Sequence, residues 1–141
     1  MIAVLDTNVV VAGTLSPFGA SFQLLELLPQ RRFELLLSVP LMLEYEDVLK
    51  RDRIRAQHGL SFQEIEAVLN MIAACGTPQS IFFLWRPQLR DPKDEMVLEL
   101  AVNGRAETIV TLNDRDFIPQ VTAFGIEVMR PGPFLQRLKP S

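Results

Sequence analysis

Short apolar runs alternate with helical patterns along almost the whole chain, and this alternation limits the possible fold more than any bulk property does. Ile2–Leu5, Phe33–Leu37, Ile81–Leu84, Thr108–Val110 and Glu127–Met129 read as strands; the first is apolar throughout and suits burial on both faces. Helical patterns lie between them, from about Thr7 to Ala12 and from about Ala20 to Leu28, with Ser16-Pro17-Phe18-Gly19 as a break. Another runs from Pro40 to Lys50, with proline in the first turn, where its missing N–H costs nothing. Ser61 and Glu64 stand at capping-box spacing at the head of a further helix, and Gly76 is its expected stop. A helix follows DPKD, and a short one follows Pro133. Strands alternating with helices imply an α/β fold, a parallel sheet of about five strands covered on both sides. Without repeats or linkers, 141 residues make one domain over 1–141, large enough for a core without disulfides or structural metal.

Composition excludes several classes. The single cysteine, Cys75, can form no internal disulfide, and the single histidine, His58, has no His or Cys companions, so a zinc site of the usual kind is excluded. No uninterrupted apolar run approaches the ~18 residues of a membrane span, and the start MIAVLD lacks a basic signal region. A cytoplasmic protein is the expectation. The net charge of −3 does not favour indiscriminate nucleic-acid binding, although total charge hides distribution. Lys50, Arg51, Arg53 and Arg55, then Arg86, Arg90 and Lys93, form candidate basic patches; a solvated helix end and loop is the simpler reading.

The first strand runs into Asp6, Thr7 and Asn8 before Val9-Val10-Val11-Ala12 makes the chain apolar again. A carboxylate inside a buriable stretch needs something to compensate its charge. In open parallel sheets, ligands bind beyond the carboxyl ends of the strands. Asp6 stands there after the first strand, and Asn113, Asp114 and Asp116 follow the fourth. If those two strands are neighbours at the switch point, their acids converge.

Helix RDPKDEMVLELA adds a further acid. Advancing ~100° per residue places Asp94 with Ala101 and Leu98 on the apolar face, and turns Glu95 and Glu99 outward with Asn103. The competing reading is a capping box, with Asp91 as N-cap and Asp94 at N3; Asn113 and Asp116 repeat that spacing. In SVPLMLEYEDVL, Glu44 and Glu46 border opposite edges of the apolar stripe, and periodicity does not choose between them. Carboxylates gathered at one sheet edge repel strongly without a cation. Oxygen ligands without His or Cys suit Mg²⁺ or Mn²⁺, which activate water and neutralise charge building on a phosphate. Asp6 is thus the expected metal holder, with Thr7 and Asn8 orienting it or the phosphate.

VLDTNVVVAG, LSVPLMLEYEDVL, RDPKDEMVLELA and IVTLNDRDF resemble, in order and spacing, the motifs of the PIN-domain ribonucleases. More narrowly they are similar to the toxin components of toxin–antitoxin pairs (VapC-like), over about residues 1–130. The resemblance implies a three-layer α/β/α sandwich with a mostly parallel sheet, and Mg²⁺- or Mn²⁺-dependent cleavage of RNA leaving a 5′-phosphate. Carried over by position, it implies Asp6, Glu44, Asp94 and Asp116 as the catalytic and metal-holding acids, so Glu44 is chosen over Glu46. Asp116 is chosen over Asp114 by the match at Arg115-Asp116-Phe117. Ser38, Asn8, Thr111 and Asn113 are similar to the polar residues that accompany the acids. A homodimer and a cognate antitoxin protein covering the acidic cleft are implied in the same way.

Other readings of this fold class fit less well. A receiver domain expects paired acids after the first strand and a lysine after the last; this chain has Asp6 alone and then Arg130-Pro131. A haloacid-dehalogenase-type phosphatase needs a second aspartate where Asn8 stands. The remaining rival is a catalytically silent RNA-binding or scaffold module, which would be expected to have lost one of the four acids. Cys75 reads as a small core hydrophobe, His58 as a surface residue, and Phe82, Phe83 and Trp85 as packing, although Trp85 beside Arg86 could stack a base.

Overall fold

Among the described residues, five parallel strands form the sheet, β1 (Ile2–Leu5), β2 (Glu34–Leu37), β3 (Thr77–Pro78), β4 (Thr108–Val110) and β5 (Glu127–Met129), in the order β3-β2-β1-β4-β5. This is a computed structural model, and it describes residues 1–81, 92–118 and 121–139. β1 is central and fully buried at Ala3, Val4 and Leu5, so successive side chains on both faces are covered. The chain builds outward from β1 through β2 to β3, then returns to place β4 on the other side. The switch point therefore lies between β1 and β4.

Seven helices fall among the described residues: α1 (Thr7–Leu15), α2 (Ala20–Leu27), α3 (Val39–Leu49), α4 (Asp52–His58), α5 (Phe62–Cys75), α6 (Pro92–Asn103) and α7 (Pro131–Leu138). The return to apolar residues after Asn8 is explained by α1, whose Val9 and Val10 are wholly buried. α6 packs across β1, β2 and β4, while α1 packs on α2 and α3, α3 on α5, and α2 on α7. The result is the α/β/α arrangement expected from the alternation.

Several local expectations change. The expected strand at Ile81–Leu84 lies outside the described residues beyond Ile81, which is not in a strand; the third strand is Thr77–Pro78. α4 was not legible because it buries no residue and so carries no apolar stripe. Gly76 does end α5, though in extended rather than left-handed backbone. A Cβ there would sit 2.3 Å from Leu37 Cδ1, so glycine lets the helix end approach β2. α6 departs most: Glu95 and Glu99, expected outward, are 3% and 4% exposed. A single-faced wheel assumes one dry side, whereas α6 meets three strands and also α3. Both glutamates are engaged in polar or electrostatic interactions, as buried carboxylates must be.

Candidate active site

Asp6 is where β1 leaves the sheet. Register pairs Leu5 with Val110, and the Asp6 N–H donates to the Val110 carbonyl at 2.9 Å, so Asp6 and Thr111 stand side by side just past the strand ends. The Asp6 carboxylate is buried and caps α1, accepting the Thr7 N–H at 2.8 Å on one oxygen and the Thr111 hydroxyl at 2.7 Å on the other. The Thr111 oxygen in turn accepts from the Asn113 N–H at 3.0 Å and from Asn8 Nδ2 at 3.4 Å. Asn8 Oδ1 accepts the Leu112 N–H at 3.2 Å. Asp6, Thr7, Asn8, Thr111 and Asn113 are thus brought into one network that ties the end of β1 to the end of β4.

α3 starts where β2 stops. Ser38, buried, caps it by accepting the Leu41 N–H at 3.2 Å, which accounts for its position at a strand end in capping terms. Glu44 and Glu46, equivalent by periodicity, are separated in space. The Glu44 side chain is 13% exposed and faces Lys93 Nζ at 3.6 Å, in the first turn of α6. Glu46 is 41% exposed and pairs with Lys50, which also reaches Glu66, on the outer surface. Between them Tyr45, the chain's one tyrosine, is fully buried and donates its hydroxyl to the Leu5 carbonyl at 2.5 Å. Burial, and secondarily the Asp6 charge, push that hydroxyl well above the usual tyrosine range, so it remains a donor. Tyr45 was missed in the sequence; its signal was a lone tyrosine at the centre of an apolar stripe, between Leu41 and Leu49.

Asp94 lies in the first turn of α6, half-buried and engaged in an interaction, beside the Lys93 that faces Glu44. The alternative cap, Asp91, lies outside the described residues. After β4, Asp114–Asp116 forms a single 3-10 turn. Asn113 makes no side-chain cap, so the capping box considered for Asn113 and Asp116 is not formed. Asp114 turns toward Arg130 Nε at 3.7 Å, whereas Asp116 is exposed. The structure therefore places Asp6 just past the end of β1, Glu44 on α3 facing Lys93 of α6, Asp94 in the first turn of α6, and Asp116 in the exposed turn after β4.

Among the described residues, no three His, Cys, Asp or Glu form a group that could hold a metal ion as they stand. Their donor chemistry fits a hard cation all the same. The acids offer only oxygen ligands, and a carboxylate oxygen can accept more than one bond. His58 is committed elsewhere, between the Leu49 carbonyl and the Leu60 N–H. The first basic patch is largely neutralised: Lys50 by Glu46 and Glu66, Arg51 by Asp47, and Arg55 lies over the Phe62 ring. Trp85, Arg86 and Arg90 lie outside the described residues. Among those residues no helix is long and apolar enough to cross a membrane.

A five-stranded parallel sheet between helices, with a buried aspartate that caps α1 at the switch point, has the fold that the resemblance to PIN domains implies. The PIN domain family model matches residues 3–115, and the chain belongs to that family. Among solved structures, it is similar to a chain of VapBC2 from Rickettsia felis, crystallised bound to a DNA fragment from their promoter. Identity is 18% and the TM-score 0.62, covering 92% of this chain and 98% of that one. A search of curated proteins gives no significant match.

Proposed function

We propose that the protein is a Mg²⁺- or Mn²⁺-dependent endoribonuclease and the toxin of a toxin–antitoxin pair. The observation that carries this reading is Asp6, a buried carboxylate fixed at the switch point by Thr7 and Thr111, with Glu44 and Asp94 on the flanking helices. Asp6, Glu44 and Asp94 would hold the metal, with Asp116 completing the acid set from the rim. When bound there, such an ion would supply activation of water and neutralisation of charge on the scissile phosphate.

The protein's own residues prepare the site. Thr111 gives its one hydroxyl hydrogen to Asp6 and accepts from Asn113 and Asn8, so its rotamer, and with it the carboxylate's, is determined. Asn8 holds the chain after β4 through Leu112, which sets where Asn113 and the acids beyond it begin. Ser38 fixes the start of α3 and hence the height at which Glu44 projects. The likeness to VapBC2 supports an antitoxin partner, and a homodimer is part of the same reading.

A silent RNA-binding or scaffold module is the second reading, favoured by the separation of the acids. Purified protein incubated with single-stranded RNA in EDTA, then in Mn²⁺ or Mg²⁺, decides between them. Cleavage that disappears in chelator and returns with either ion, without need of Zn²⁺, supports the nuclease; RNA bound but uncut in all conditions supports the silent module.

A further inference from the structure

We infer that Tyr45 is a positioning residue for the acidic site, setting the separation of Asp6 and Glu44 by anchoring α3 to the last carbonyl of β1. This rests on the metal-nuclease reading above. Peptide groups of a strand point alternately to its two edges. The Ile2 carbonyl and Asp6 N–H are bonded to the β4 side, and the Met1 carbonyl to Glu34 on the β2 side, so the Leu5 carbonyl points toward β2. Pairing with β4 continues to Leu5, but pairing with β2 runs only through Ile2 and Ala3. Continuing the hydrogen-bond series that starts with the Glu34 N–H on the Met1 carbonyl, two residues at a step, would bring the Ser38 N–H to the Leu5 carbonyl; Ser38 instead leaves the strand as the cap of α3.

The strands thus part at the point where the site opens, and a buried carbonyl needs a donor. Tyr45, two turns into the helix that departed, supplies it. One covalent neighbour of this bond on each side is a proposed metal-holding acid: Asp6 follows Leu5, and Glu44 precedes Tyr45. A phenol of fixed length therefore spans the opening between them. Loss of a bond that orients metal-holding groups typically costs about 10–100-fold in metal affinity.

The test uses Tyr45→Phe, which keeps the ring and deletes the hydroxyl. Calorimetric titration with Mn²⁺ should show affinity lower by about 10–100-fold, kcat for RNA cleavage should fall, and KM should hold. Ile72→Val, a core change in α5, controls for lost stability and should leave Mn²⁺ affinity unchanged. Wild-type Mn²⁺ affinity and kcat in Tyr45→Phe would overturn the proposal, as would an equal affinity loss in Ile72→Val. If Tyr45→Phe does not fold, the single tyrosine allows a second measurement: fluorotyrosine labels that position alone. Its ¹⁹F resonance should shift during Mg²⁺ titration of wild-type protein and stay fixed in Asp6→Asn. A resonance indifferent to Mg²⁺ at concentrations where calorimetry shows binding would overturn the positioning role alone. Wild-type protein that neither binds Mn²⁺ nor cuts RNA would overturn the nuclease reading and this inference with it.

Discussion

At the scale of single residues, Thr111 is the most fully committed side chain of the site, with its hydrogen and both acceptor positions in use. Thr111→Val keeps the shape and strips the partners of Asp6, Asn113 and Asn8. Denaturant unfolding should show a loss of about 1–3 kcal/mol, the cost of stranding buried polar groups, while Thr111→Ser should stay close to wild type. An unchanged midpoint for Thr111→Val would mean the network contributes nothing. Asp94 separates two chemistries. As a capping acid, Asp94→Ala should lose about 0.5–2 kcal/mol and keep activity. As a metal holder, Asp94→Asn should lose turnover by orders of magnitude while the metal-free protein is equally or more stable, because repulsion is relieved. Glu34→Gln, at the exposed start of β2, is the control; Glu95, one residue along, is too buried to serve. Asp6 could be read from the sequence because a carboxylate interrupts an apolar run. Glu44 and Glu46 could not be told apart because their difference in burial and partner depends on where α6 packs. Tyr45 looked like ordinary core until its hydroxyl had a partner.

Between elements, β5 and α7 are clasped by the Glu127–Arg137 ion pair. The Arg137 guanidinium holds the Glu127 carboxyl below the usual range. A folded-state pKa below the unfolded one gives stability that is present above the unfolded value and is lost as pH falls through the folded value. Glu64, held low by the Ser61 cap of α5, acts in the same direction. Both groups are solvent-exposed, so each contribution is small. Melting wild type and Glu127→Gln at about pH 6 and about pH 3, either side of the ordinary glutamate value, should show the gap between them narrowing in acid. A gap that widens in acid would contradict the assignment. Elements with a buried stripe or a capping signature, such as β1, α3 and α5, were legible from residue order alone. α4 was not, since it packs no face into the core, and α6 was legible as a helix but not in its orientation. Burial of Glu95 and Glu99 depends on neighbours contributed by β1, β2, β4 and α3, none of them local in sequence.

At the scale of the whole molecule, the chain reverses its direction of growth between β1 and β4, and Asp6 stands at that switch point. If the proposed acids share a cation there, metal-free protein should melt below protein in Mg²⁺ or Mn²⁺, by an amount that grows with the logarithm of ion concentration above Kd. Melting that is indifferent to both ions would count against a shared site. The most direct measurement is cleavage of single-stranded RNA by Asp6→Asn beside wild type, in Mn²⁺, with both proteins shown to be folded by their melting transitions. The metal-nuclease account predicts that wild type cuts and that folded Asp6→Asn does not. Equal cleavage by the folded variant would contradict it.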